Sequence, residues 1–264
     1  MSLRKIFVLA VVMLLTVGLI AGCGGGEQAN TENGNQEEKV YIAGVDTSFV
    51  PFEYRDEDSG EYVGFDIDML DEIANRAGFK YELSPMDFSA LIPSLKTEKI
   101  DIAIAGMTIT EERKLEVDFS IPYYDSGMLV MVSADNEDIN SSEDLVGKVV
   151  GTKTGATSYN FVEGIEGVKE NKPFPNITDA YMDLRQGGVE AVVHDAPNVL
   201  YYIQTNGEGA VKAVGNIEDG QQYGIGFPQG SELRDVVDAE LQGMIDDGTY
   251  DQIYEKWFGS RPGA

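Results

Sequence analysis

The 264 residues carry 46 acidic side chains against 19 basic ones, a formal net charge of −27, with one histidine and one cysteine. Such a field repels nucleic acid and anionic lipid surfaces, which argues against any nucleic-acid partner. One histidine and one cysteine cannot furnish an ordinary zinc site, and there is neither a Gly-x-Ser-x-Gly elbow nor a second histidine to activate a nucleophile. Metal catalysis is not expected, nor any resident cofactor.

Arg4 and Lys5 precede an apolar stretch over residues 6–21, and Ile20-Ala21-Gly22-Cys23 follows it. This is a secretory signal over residues 1–22, and its end matches the lipobox of bacterial lipoproteins, so Cys23 is the expected lipidation site. The apolar core is short for a transmembrane anchor and stops at glycines rather than at a basic flank. The chain is therefore expected to be lipid-anchored at the outer face of the cell membrane. With no second cysteine the exported part has no disulfide, so it needs a large core to be stable. Residues 24–38 hold no apolar residue larger than alanine and read, with Cys23, as a flexible tether spanning on the order of 20 Å.

Strands and helices then alternate. Residues 39–44 read as a strand leading to Asp46 and Phe49. Ile67, Leu70, Ile73, Ala74 and Ala77 mark an amphipathic helix ended by Gly78. Residues 81–83 read as a strand and residues 88–95 as a helix holding Pro93. Residues 100–105 read as a buried strand that Gly106 breaks, with Thr108 and Thr110 both candidate N-caps for a helix near Glu111. A strand end, a glycine and a helix start expose unpaired N–H groups, and Arg113 adds a fork suited to a carboxylate. That segment suits the head of an amino acid. A surface Arg113 paired to Glu111 or Glu112 is the competing reading.

Further strands are expected at residues 148–150 and 191–193, with a helix at 179–186 closed by Gly187-Gly188 and two amphipathic helices at the C-terminus. The βαβα order means α/β architecture with largely parallel sheets, whose ligands lie beyond the carboxyl ends of the strands. Four strand ends therefore matter. Lys153, in Gly151-Thr152-Lys153-Thr154-Gly155, lacks the Walker spacing and is either an anion or carbonyl contact or a solvated lysine. Asp195 and Asp46 could accept a ligand ammonium or serve a cap and a turn. Phe49 and Phe88, each in a loop after a strand, could sandwich an aliphatic ligand or belong to the core.

Together, residues from Val40 to Phe258 resemble the glutamine-binding proteins of bacterial ABC importers, within the wider polar amino-acid binding family. The matching segments are Asp46–Glu53, Pro85–Phe88, Ala105–Lys114, Val193–Asp195, Gln221–Ile225 and Lys256–Gly259. The resemblance implies a periplasmic-binding-protein-like fold of two α/β lobes joined by two hinge crossings, near Ser126–Val130 and Gln221–Gly224. Lobe 1 would be residues 39–126 plus 223–264, and lobe 2 residues 127–222. It also implies that Arg113 and the Thr108 N–H bind the α-carboxylate, and that Asp195, the Thr108 hydroxyl and the Gly106 carbonyl, after Ala105, take the α-ammonium. Asp46 and Lys153 would hold the side-chain amide, with His194 nearby and Phe49 and Phe88 on the methylenes. Thr157 stands where the family has a glycine whose N–H reaches the carboxylate. The implied protein is a monomer that captures L-glutamine, closes, and docks on a membrane permease. Arginine or histidine would meet Lys153 as a like charge and glutamate would meet Asp46. A cyclohexadienyl dehydratase-like enzyme on the same fold is the alternative from another class.

Overall fold

The computed structural model describes residues 39–207 and 209–259; the expected signal, Cys23 and the tether lie outside the described residues. In chain order the elements are β1 (Val40–Asp46), β2 (Ser48–Phe49), β3 (Glu53–Arg55), β4 (Tyr62–Val63), α1 (Phe65–Ala77), β5 (Lys80–Met86), α2 (Phe88–Lys96), β6 (Ile102–Ala103), α3 (Glu111–Lys114), β7 (Asp118–Phe119) and β8 (Tyr124–Ser133). The second half continues with β9 (Val149–Lys153), α4 (Thr157–Glu163), β10 (Glu170–Phe174), α5 (Ile177–Arg185), β11 (Ala191–Asp195), α6 (Ala196–Thr205), β12 (Val211–Tyr223), β13 (Gly226–Phe227), α7 (Glu232–Asp247) and α8 (Thr249–Phe258).

Two five-stranded sheets result, in the orders β5-β1-β6-β13-β7 and β10-β9-β11-β8-β12, with a small sheet β2-β3-β4 beside the first. In the first, β1 runs parallel to β5 and β6, while β13 is antiparallel to its neighbours. In the second, β9 is parallel to β10 and β11, and β8 is antiparallel to β11 and β12. Each sheet has its own buried clusters. Phe65, Leu70 and Ile73 of α1 pack with Val237 and Leu241 of α7 in the first part. Ile177, Tyr181 and Leu184 of α5 pack with Val192 and Val199 in the second. The chain passes between the parts twice, along β8 and β12, which pair at Tyr124↔Tyr223 and Gln221↔Ser126.

Several local expectations change. The strand over 100–105 shrinks to Ile102–Ala103. Ile104 still donates to the Gly44 carbonyl at 3.1 Å, and the extended run ends at Gly106, where φ is +52° and the N–H goes to the Asp66 carboxylate at 2.9 Å. Conversely, β1 runs on to Asp46, β9 to Lys153 and β11 to Asp195, so these residues close their strands rather than follow them. Phe49 lies in β2 and Phe88 is the first residue of α2; neither is a loop residue. Thr110, not Thr108, caps α3, its hydroxyl accepting from the Arg113 N–H at 3.1 Å. That helix has only four residues, too short for a useful dipole, so the anion-binding capacity expected there rests on the Arg113 side chain. Among the described residues no helix is long and apolar enough to cross a membrane, and no group of three or more His, Cys, Asp or Glu could hold a metal ion.

Candidate ligand-binding site

The carboxyl ends of β1, β9 and β11 converge on one small cavity. All eleven residues singled out from the sequence line it, and Ala156 joins them. The charged ones sit at two ends.

At one end Lys153 Nζ lies 2.5 Å from Asp46 Oδ2, with both side chains 2% exposed. The contact is a charge pair outside hydrogen-bonding angles, so both atoms keep unused hydrogen-bonding capacity. The other Asp46 oxygen accepts from the Thr47 N–H at 2.7 Å. His194 is also buried, and neither ring nitrogen has a hydrogen-bond partner. Burial, and then the Lys153 charge, hold its pKa well below the usual value, so the ring is neutral. Phe49 meets that ring edge-on, with centroids 5.6 Å apart.

At the other end Arg113 points inward rather than toward solvent. It donates to the Thr108 carbonyl at 2.7 Å and, from the second part of the chain, to the Gly155 carbonyl at 3.0 Å. Its guanidinium lies 5.3 Å from the Phe88 ring centroid. The surface alternative fails because Glu111 pairs with Lys114 at 2.8 Å while Arg113 is buried. Burial lowers the Arg113 pKa to about 10, opposed by Asp195 and Glu112, which leaves it charged at neutral pH. Asp195 accepts a hydrogen bond from the Tyr223 hydroxyl through one oxygen and has no partner for the other. Burial raises its pKa to about 6; the Tyr223 bond, Arg113 and Lys153 oppose that rise. At pH 7 it is mostly ionised and has lone pairs to offer an ammonium group.

Between the ends, Gly106 packs closely against the Phe49 ring. A Cβ there would stand 2.2 Å from Phe49 Cε1, and φ of +52° is costly for any side chain. Thr157, the first residue of α4, turns its hydroxyl to Gln221 Oε1 at 2.9 Å, and Thr108 donates to the same oxygen at 2.8 Å. Gln221, Tyr223 and Asp66 are not recognisable from the sequence as site residues. The first two lie in a segment that carries the family resemblance without any implied role, and Asp66 sits in the first turn of a helix where acids are ordinary. A larger open groove of about 1010 Å³ adjoins the cavity and shares Thr108, Arg113 and Thr157 with it. It lacks Asp46, Lys153 and Asp195, so the charges converge in the smaller cavity.

A small cavity at the strand ends of both sheets, lined by two cations and two carboxylates, suits a small polar zwitterion. Residues 41–260 match the bacterial extracellular solute-binding proteins, family 3, and the chain belongs to that family. The ABC transporter glutamine-binding protein GlnH of Bacillus subtilis is 33% identical over 286 residues, covering 98% of this chain and 99% of that protein. The L-cystine-binding protein TcyA of the same organism is 29% identical over 269 residues, covering 95% and 96%. Among solved structures, an ancestral arginine-binding protein bound to glutamine is 45% identical with a TM-score of 0.80, covering 84% of this chain and 98% of that one. The chain is thus an amino-acid solute-binding protein of ABC importers with the periplasmic-binding-protein-like fold, and its relatives are transport proteins rather than enzymes.

Proposed function

We propose that this protein captures L-glutamine and delivers it to the permease of an ABC importer. The buried Asp46–Lys153 pair carries the reading. Its charges already cancel, so an arginine or lysine side chain must compete with Lys153 for Asp46, and a glutamate side chain must displace Asp46 from Lys153. Opening a buried pair by removing one partner costs roughly 3–5 kcal/mol. A neutral amide leaves the pair in place: its oxygen takes a spare Lys153 N–H and its NH₂ donates to a spare Asp46 lone pair. Arg113 and the Thr108 and Thr157 N–H groups hold the α-carboxylate, while Asp195, the Thr108 hydroxyl and the Gly106 carbonyl take the α-ammonium. Ala105, Phe49 and Phe88 cover the methylenes. An ancestral arginine-binding protein, 45% identical to this chain, is solved with glutamine as well as with arginine, so a relative on this scaffold accepts a neutral amide.

In this reading residues 39–126 and 223–264 form one lobe and residues 127–222 the other, and a monomer closes on its ligand by bending at β8 and β12. The bonds from Arg113 to Gly155, and from Asn198 to the Val50 carbonyl at 2.5 Å, belong to the closed form. A dehydratase-like reaction would need a protonated carboxyl in the cavity. Asp195 is mostly ionised at neutral pH, and Glu53, whose pKa burial pushes well up, does not line the cavity.

A thermal-shift panel of the twenty amino acids and cystine on the mature chain tests this. L-glutamine should give the largest shift, worth about 4 kcal/mol at 1,000 times Kd. A larger shift with arginine, histidine or cystine would overturn it. Cys23 carries the proposed lipid anchor, so Cys23→Ser should release the protein from membranes; retention after a high-salt wash refutes the anchor.

A further inference from the structure

Gln221 lies on β12, where the chain returns from the second sheet to the first, and is buried at the rim of the cavity. Its side-chain oxygen accepts two hydroxyls from opposite sides: Thr108 Oγ1 at 2.8 Å, from the chain after β6, and Thr157 Oγ1 at 2.9 Å, from the start of α4. Its Nε2 donates to Asp219 Oδ2 at 2.9 Å. A carboxylate has no proton to give, so the NH₂ end of the amide must face Asp219 and the oxygen end must face the threonines. The pairing of β8 with β12 slips between Glu218 and Gln221, and Asp219 adopts φ of +48°, so a local break in the strand brings the carboxylate back onto the amide.

That orientation decides what Thr108 can offer a ligand. Both threonine protons are committed to Gln221 Oε1, and only lone pairs remain on each hydroxyl. With the unpartnered Asp195 oxygen and the Gly106 carbonyl, Thr108 Oγ1 completes three acceptors for the three N–H bonds of an ammonium group.

We propose that Asp219 and Gln221 form a polarity relay that makes the head-group end of the site acceptor-only. Through the relay, the protein selects α-amino acids against the 2-hydroxy and 2-oxo acids of the same side chain. Gln221 and Asp219 are positioning residues, acting through Thr108. The inference rests on the amino group lying where the proposed function puts it. Without the relay, the Thr108 hydroxyl turns its proton into the cavity and can donate to a ligand hydroxyl or carbonyl.

The test measures Kd by calorimetry for L-glutamine and its 2-hydroxy analogue on wild type, Gln221→Leu and Asp219→Asn. Asparagine tolerates the positive φ of position 219 and can present either end to Gln221. The amino-to-hydroxy preference should fall about tenfold in Gln221→Leu and about threefold in Asp219→Asn, with the hydroxy acid binding the variants more tightly than wild type. Should Gln221→Leu fail to fold, the exposed and nearly isosteric Asp219→Asn decides. An equal loss for both ligands, or an unchanged ratio in the folded Asp219→Asn variant, overturns the relay and leaves Gln221 as a clasp between the two parts. If wild type prefers L-arginine, the glutamine reading fails, and the relay is judged on L-arginine and its 2-hydroxy analogue.

Discussion

Replacing Asp46 by asparagine should convert a glutamine site into one that admits glutamate. In the wild-type protein a ligand carboxylate at the Lys153 end would approach Asp46 to about 4 Å, since the two side chains already touch. At an effective dielectric of about 20 that repulsion is about 4 kcal/mol. Asparagine keeps the shape and the acceptor oxygen but removes the charge, leaving Lys153 as an unopposed cation for the ligand to pair with. Relaxation of the Lys153 chain and residual water should reduce the gain to about 2 kcal/mol, roughly a 30-fold change in the glutamine-to-glutamate ratio. Calorimetric titration of both ligands on both proteins, at pH 7.5 and one salt concentration, reads that ratio. The unliganded variant should also melt at a lower temperature, because Lys153 is left buried without its counter-charge. A lower melting temperature with an unchanged ratio would mean that Asp46 only neutralises Lys153 and never meets the ligand side chain.

Arg113→Ala should abolish detectable binding of any amino acid, a loss of roughly 3–5 kcal/mol for a buried carboxylate without its partner; near wild-type calorimetry would return Arg113 to a purely structural role. Acidification should act in opposite directions on affinity and on stability. Asp195, with a folded-state pKa of about 6, must be ionised to accept an ammonium, so affinity should be flat above pH 7 and fall toward tenfold per unit well below pH 6; a flat profile down to pH 5 would remove Asp195 from the amino group. Asp66 is likewise raised to about 6 by burial, and Glu53 well above its usual value. Raised folded-state values mean that the native state binds more protons than the unfolded one. Asp66 therefore contributes stability that is fully present below its unfolded pKa, near pH 4, and is lost as pH rises through about 6; Glu53 acts in the same direction. The unliganded protein should melt higher at pH 5 than at pH 7.5, and a scanning calorimetry series with the reverse trend would refute that assignment.

The amino-acid sequence by itself determined what depends on local periodicity and local chemistry. The apolar stripe of α1 with Gly78 at its end, the alternation of strands and helices, and the run from Gly106 to Arg113 are readable because a helix repeats every 3.6 residues and a glycine marks a backbone turn. Residue type and position at strand ends were enough to single out Asp46, Lys153 and Asp195, and the structure gathers them around one cavity. Tertiary structure alone decided how these groups are spent. Asp46 and Lys153 lie on different sheets, far apart in the chain, and their contact exists only when the two parts meet. Ile104 still donates to the Gly44 carbonyl of β1 at 3.1 Å, but the pairing goes no further, because a carboxylate from α1 takes the Gly106 N–H. In the sequence Gln221 stands out only as part of a family-like segment and an expected hinge crossing; its amide acquires a direction only from Asp219 and from two threonines. Hydrogen-bond partners and charge pairs distant in sequence leave no periodic trace along the chain, so they become legible only when the fold brings them together.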